Sequence, residues 1–199
     1  MRSTIVTNSY RRIAIIVAAV VIPVAAAAFW WLQRPEPVNP FYDQETGLAF
    51  EYHADMKAST LSQSDIDDMI IARLTPSSTE GAQYLVTTRR ETGFETLTGV
   101  TGQSGPDIVL DNLNRSYPDR FPGFRLQRQQ TFSLAGVNAA EAIFTYDSPN
   151  NGGRAQQHFI ALMRTPDEAV YFSFQSLEAD FADLDSRYFQ PLRQSISFE

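Results

Sequence analysis

Two histidines, His53 and His158, are the only side chains in this 199-residue chain that ordinarily titrate near neutral pH, and the chain has no cysteine. A Ser-His-Asp triad needs a single histidine as its base, so hydrolysis stays open on counting alone. The serine context argues against it. Gly102-Gln-Ser-Gly-Pro106 has proline where the nucleophile elbow needs its final glycine, and it reads as a flexible loop. His158 alternates with Phe159 on an expected strand and reads as a surface or edge residue; His53 follows a strand end and reads as part of a turn. Without cysteine there is no thiolate nucleophile, no disulfide framework and no cysteine-type zinc site. Asp65, Asp67 and Asp68 offer carboxylates for calcium, but the glycine and terminal glutamate of an EF-hand are missing, so solvated acids are expected there. Asp180, Asp183 and Asp185 crowd the start of an expected helix, where the positive end of the helix dipole favours them. No phosphate-cradling glycine loop appears. The residue types therefore assign no catalytic side chain, no metal ligand and no cofactor-binding residue.

Positive charge gathers in mid-chain, at Arg89, Arg90, Arg125 and Arg128, with Arg115 and Arg120 nearby. These arginines suit a face for a carboxylate-bearing or acidic protein partner; the competing reading is ordinary alternation with neighbouring acids. Beyond residue 34 the chain carries 12 basic residues against 23 acids, a net charge of −11. That excess excludes nucleic acid as a ligand, because nucleic-acid binding requires a basic footprint. It favours solubility through self-repulsion.

The elements that must position these residues begin with Ile13 to Leu32, an uncharged run of 20 residues. At about 1.5 Å per residue it spans about 30 Å, the thickness of a bilayer's hydrocarbon core. Phe29, Trp30 and Trp31 close it with the aromatic rings that favour the headgroup region. Arg2, Arg11 and Arg12 precede it without an acid, which places the N-terminus in the cytoplasm and the remainder outside. The expected organisation is a cytoplasmic N-terminus (1–12), a transmembrane signal-anchor in the lipid bilayer (13–32), a proline-rich linker (33–41) and an extracytoplasmic domain (42–199). A cleaved signal peptide is the alternative, with Ala25-Ala26-Ala27 as the processing site.

Within the exported part, alternation predicts strands at 47–52, 69–74, 82–88, 125–133, 138–147, 157–163 and 169–174. Gly136 makes the turn between the two longest. Residues 53–64 read as loop, and 91–105, with four glycines, as a mobile loop. Apolar spacing predicts helices over 107–117, ended by Pro118, and over 179–196, bent or broken by Pro191. The fold class is α+β: an antiparallel sheet of about seven strands flanked by helices, behind one N-terminal transmembrane helix.

Three passages resemble the PsbP-like family. They are Tyr42 to Tyr52, a glycine leading into an alternating strand; Pro122 to Tyr146, a hairpin about a Gly turn whose second strand ends in Tyr; and Glu168 to Phe174 followed by the acidic helix and Ser195-Ile-Ser-Phe198. The family's tyrosine-proline after the first strand is Tyr52-His53 here. The resemblance covers about 42–198 and is a pattern of elements with no shared site motif. It implies an antiparallel sheet flanked by helices. It also implies a mostly non-enzymatic class that includes the extrinsic photosystem II subunit and a Ran-binding transport factor, and whose members bind partners or assist assembly. The expected function is that of a non-catalytic, membrane-anchored accessory factor that binds a protein of the cell envelope. The alternative is an exported domain that holds a small molecule or lipid in a pocket between sheet and helix.

Overall fold

In a computed structural model, residues 36–76, 85–148 and 153–199 are described, and they form two antiparallel sheets. The smaller sheet has the order β1-β2-β10, from β1 (Val38–Asp43), β2 (Leu48–His53) and β10 (Ser197–Phe198). Its hairpin is tied by Asp43, whose Oδ2 accepts the Thr46 N–H at 2.9 Å, and Gly47 turns the chain with φ +67°. The larger sheet has the order β3-β4-β5-β9-β8-β7-β6. Its strands are β3 (Met56–Ala58), β4 (Ile70–Pro76), β5 (Leu85–Thr92), β6 (Arg125–Leu134), β7 (Val137–Asp147), β8 (Arg154–Met163) and β9 (Glu168–Leu177). Strands β6 to β9 form a meander, and β5 closes on β9. Ala135 and Gly136, with φ of 52° and 77°, join β6 to β7 through a two-residue loop whose double positive φ matches the twist of the flanking strands.

Helices cover both faces of the large sheet. On one face lie α2 (Phe94–Thr101) and α3 (Gly105–Arg120), which bring Phe94, Val109, Leu110 and Leu113 onto Ala142, Phe144, Phe159 and Ala161. On the other, a composite C-terminal helix packs Phe181, Tyr188, Phe189 and Leu192 against Ile160, Leu162, Phe172 and Phe174, together with Leu48 and Phe50 of the small sheet. That helix runs from α4 (Phe181–Leu184) through a π-helical turn (Asp185–Phe189) into α5 (Gln190–Ser195). Because helices lie on both sides, β8 and β9 are nearly continuous runs of buried residues without the usual polar alternation. The short helix α1 (Gln63–Asp67) carries a complete capping box between Ser62 and Asp65.

The α+β expectation holds for the described residues, with a second, three-stranded sheet that the sequence reading did not separate. Several local expectations are corrected. Residues 91–105 are no loop: α2 occupies most of the segment, with glycines at both ends (Gly93 φ 102°, Gly102 φ 70°) acting as stops. Residues 53–64 contain β3 and the start of α1. Pro118 lies inside α3, in its last turn, where few helical hydrogen bonds remain to be lost; Phe121 N still donates to Tyr117 O at 2.9 Å. Strand β1 starts at Val38, inside the stretch read as linker. Pro191 stands at the first turn of α5, directly after the π turn, so the expected disruption is a change of helix type. The expected transmembrane helix at 13–32 lies outside the described residues, and no helix among those described is long and apolar enough to cross a membrane.

Candidate functional site

Strand alternation sends Arg89 and Glu91 of β5, Tyr171 of β9 and Phe159 of β8 to the face beneath α2 and α3. Arg89 lies directly opposite Tyr171, with its guanidinium carbon 5.2 Å from the ring centroid. Phe159 and Tyr171 pack with centroids 5.3 Å apart. Above this floor, Phe94 and Leu97 of α2 and Ile108, Leu113 and Tyr117 of α3 do not close down completely. A cavity of about 570 Å³ remains between helices and sheet. That volume lies within the range of small-molecule sites, about 300–1,000 Å³.

Its polar groups are organised. Arg89 donates to Glu91 at 2.9 Å, Gln103 Nε2 donates to Asp111 at 2.7 Å, and Arg115 stands 3.5 Å from Asp111, while Arg120 lies at the end of α3. Burial raises the Tyr171 phenol far above its ordinary value, and the Glu91 carboxylate beside it adds to the effect. Burial also raises Tyr117, opposed by the positive charges of Arg120 and Arg89. Both phenols therefore serve as neutral hydrogen-bonding groups. The Ser116 hydroxyl donates to Asn112 O at 2.8 Å, and no histidine lines the cavity.

The four arginines singled out in the sequence do not form one patch. Arg89 faces the cavity. Arg90, its neighbour on the same strand, points to the other face, where it pairs with Glu45 and lies 3.3 Å from Glu168. Arg125 and Arg128 sit on β6, separated from β5 by β9, β8 and β7. A bulge between Leu126 and Arg128 keeps Arg125 and Arg128 on a common side of that strand. Arg128 is paired with Glu141 at 2.7 Å.

Both histidines are buried, which corrects the surface or edge reading of His158. His53 ends β2, and its ring meets Tyr188 edge-on at 5.2 Å. His158 lies on an inner strand with its Nε2 2.6 Å from Glu141 Oε1, and Gln130 Nε2 donates to the other carboxylate oxygen at 2.8 Å. This group lies on the sheet face opposite the cavity. Asp65 is held by Ser62 and Arg73, and Asp185 by Arg193; among the described residues no cluster of three possible metal ligands occurs. The sequence reading missed Tyr171, Phe159 and Tyr117 as cavity residues. Tyr171 alternates with Val170 and Phe172, and that interleaving was the available signal for a second buried face.

No family model matches the chain, and no curated protein is similar to it at a significant level. Solved structures are similar. Cyanobacterial PsbP of Synechocystis superposes with a TM-score of 0.60 at 8% identity, covering 84% of this chain and 95% of that one. The fold is PsbP-like. The PsbP-like domain also resembles LpqN of Mycobacterium tuberculosis, described as involved in cell envelope biogenesis, with a TM-score of 0.51, 12% identity and coverage of 81% of this chain and 90% of that one. At these identities the likeness fixes the course of the PsbP-like chain and leaves its site to be read from its own residues.

Proposed function

We propose that this chain is a membrane-anchored, extracytoplasmic, non-catalytic accessory domain that works by holding a small molecule between its sheet and α2–α3. The cavity of about 570 Å³ carries this reading. It combines aromatic and aliphatic walls with a few convergent polar groups, the usual composition of a ligand site. The uncharged run at 13–32, with arginines before it and acids after it, supports the anchor and its orientation. The resemblance to LpqN is in keeping with an envelope role. Native mass spectrometry of the full chain, extracted from membranes into nanodiscs, tests the reading. A retained small-molecule mass is expected, and Ile108→Trp, which fills the cavity, should remove it. A chain that is empty after gentle extraction and binds no member of a metabolite library would overturn the ligand reading. Resistance to alkaline extraction tests the anchor independently.

A second reading, docking of an envelope protein, is favoured by β6. It is the outer strand of the large sheet, and Arg125 to Thr131 are exposed without interruption. An edge of this kind can accept an added strand, and Arg125 and Arg128 would meet acidic side chains there. In-cell crosslinking of the full-length chain tests it: one reproducible partner, lost when Arg125 and Arg128 become glutamate, is the expected result.

A further inference from the structure

The exported part of the chain carries a net charge of −11, yet the lining of the cavity has the opposite balance. Three guanidinium groups, Arg89, Arg115 and Arg120, face two carboxylates, Glu91 and Asp111. Glu91 pairs with Arg89 at 2.9 Å and Asp111 with Arg115 at 3.5 Å. Arg120 contacts the Phe121 ring at 5.7 Å and, among the described residues, has no carboxylate partner. Arg120 stands in the last turn of α3 and lines the cavity together with Arg89 and Tyr117. Phe94, Leu113 and Phe159 supply apolar lining. A positive balance in a cavity with apolar lining, in a domain otherwise rich in acid, is the arrangement that selects charge sign within a hydrophobic site.

We propose that the cavity takes an amphipathic organic anion, its acid group between Arg120 and Arg89 and its apolar body against Phe159 and Leu113. The proposal rests on the ligand reading above and adds charge selection to it. Glu91 has a definite part: it holds Arg89 in the empty site and must yield that guanidinium to the incoming acid. Breaking that pair carries a cost that an acid group offsets and a neutral group does not. Tyr117, kept protonated by burial, can donate to the acid group, whereas the Tyr171 hydroxyl is engaged by Glu91.

Isothermal titration of the full chain in phosphatidylcholine nanodiscs, against empty nanodiscs, tests this with naphthoate and the matched neutral alcohol naphthylmethanol. Naphthoate should bind at least about tenfold more tightly, since a hydrogen bond to a charged group is worth about 1.5–3 kcal/mol and about 1.4 kcal/mol is tenfold. Arg120→Gln should remove the preference and leave naphthylmethanol binding intact, which also shows that the variant is folded. Glu91→Gln should act with the opposite sign and tighten naphthoate binding severalfold, because it frees Arg89. Equal affinity of the wild type for acid and alcohol would overturn the anion proposal and leave the ligand reading standing. A preference that survives Arg120→Gln would overturn the assignment of the acid group to Arg120. Failure of both probes to bind would overturn both readings.

Discussion

Replacement of Glu141 by glutamine should lower stability by about 2 kcal/mol at neutral pH. The carboxylate accepts from His158 at 2.6 Å, Arg128 at 2.7 Å and Gln130 at 2.8 Å. The partners recover differently when the charge is removed. Arg128 is 55% exposed and returns to water, so its arm contributes at most about 1 kcal/mol. His158 is 6% exposed and cannot, so its arm carries most of the loss, within the range of about 1.5–3 kcal/mol for a hydrogen bond to a charged group. Glutamine keeps one acceptor oxygen in place, which limits the total. In a domain of this size about 2 kcal/mol corresponds to a Tm lower by about 4–8 °C. The pH dependence supplies a sharper test. The hydrogen bond from His158 holds the Glu141 carboxyl below its ordinary value of 4.5, against the opposing effect of burial. The native state therefore binds fewer protons than the unfolded chain in the acid range. The contribution of Glu141 is present above the unfolded value and is lost as pH falls through the lower native one. Thermal unfolding of wild type and Glu141→Gln, followed by far-ultraviolet circular dichroism across the acid range, should show two curves that converge on acidification. A gap below about 0.5 kcal/mol at neutral pH, or one that persists unchanged into acid, would refute the assignment of the stabilisation to this ionised network.

Other perturbations test other parts of the architecture. Phe144→Ala empties a fully buried position ringed by Tyr117, Phe121 and Phe124 at 5.3, 5.8 and 5.2 Å, and should cost about 3–5 kcal/mol in a denaturant titration. Gly47→Ala puts a Cβ about 2.5 Å from the Glu199 carbonyl oxygen at a φ of +67°; a loss of about 1–2 kcal/mol from the backbone conformation should be accompanied by faster hydrogen exchange at Glu199 N–H, which donates to Gly47 O at 2.9 Å. Burial raises Tyr117, Tyr146 and Tyr171 above the ordinary phenol value of 10.0, so phenolate absorbance should show these groups resisting ionisation in the folded protein. The unfolded chain releases those protons first, so stability should fall as pH rises above about 10.

The long strands and their turn were legible because alternation and the Gly136 loop are local signals. Gly136 sits in the loop that joins β6 to β7, and the structure pairs those strands through an interior bulge that no local pattern announces. The segment at 91–105 was misread because its glycines are stops at the ends of α2 as well as loop residues. Leu97 and Val100 make only a sparse apolar face, and both stay exposed in the structure. His158 was misread because a polar residue on an amphipathic strand points to solvent unless another chain segment supplies its partner. That partner is Glu141, a charged residue on the neighbouring strand β7, so neither residue alone announces the pair. A pocket between sheet and helix was the alternative expectation, but its lining was not legible. It depends on how far α2 and α3 stand off the sheet, a distance set by Phe94, Leu113 and Phe159 together.

The pairing order of the sheets also governs when the domain can become stable during synthesis. The meander β6 to β9 joins neighbours in sequence and can zip as it emerges. The closures that complete the fold are remote: β5 must wait for β9, and β2 meets β10 only when Phe198 reaches Leu48. Closing such large loops precedes the contacts that reward it, which slows folding. The early hairpins of β1–β2 and β3–β4–β5 can form first but stay unsealed until β9 and β10 follow. Such a chain pairs locally as it lengthens and gains its closing contacts only with β9 and β10.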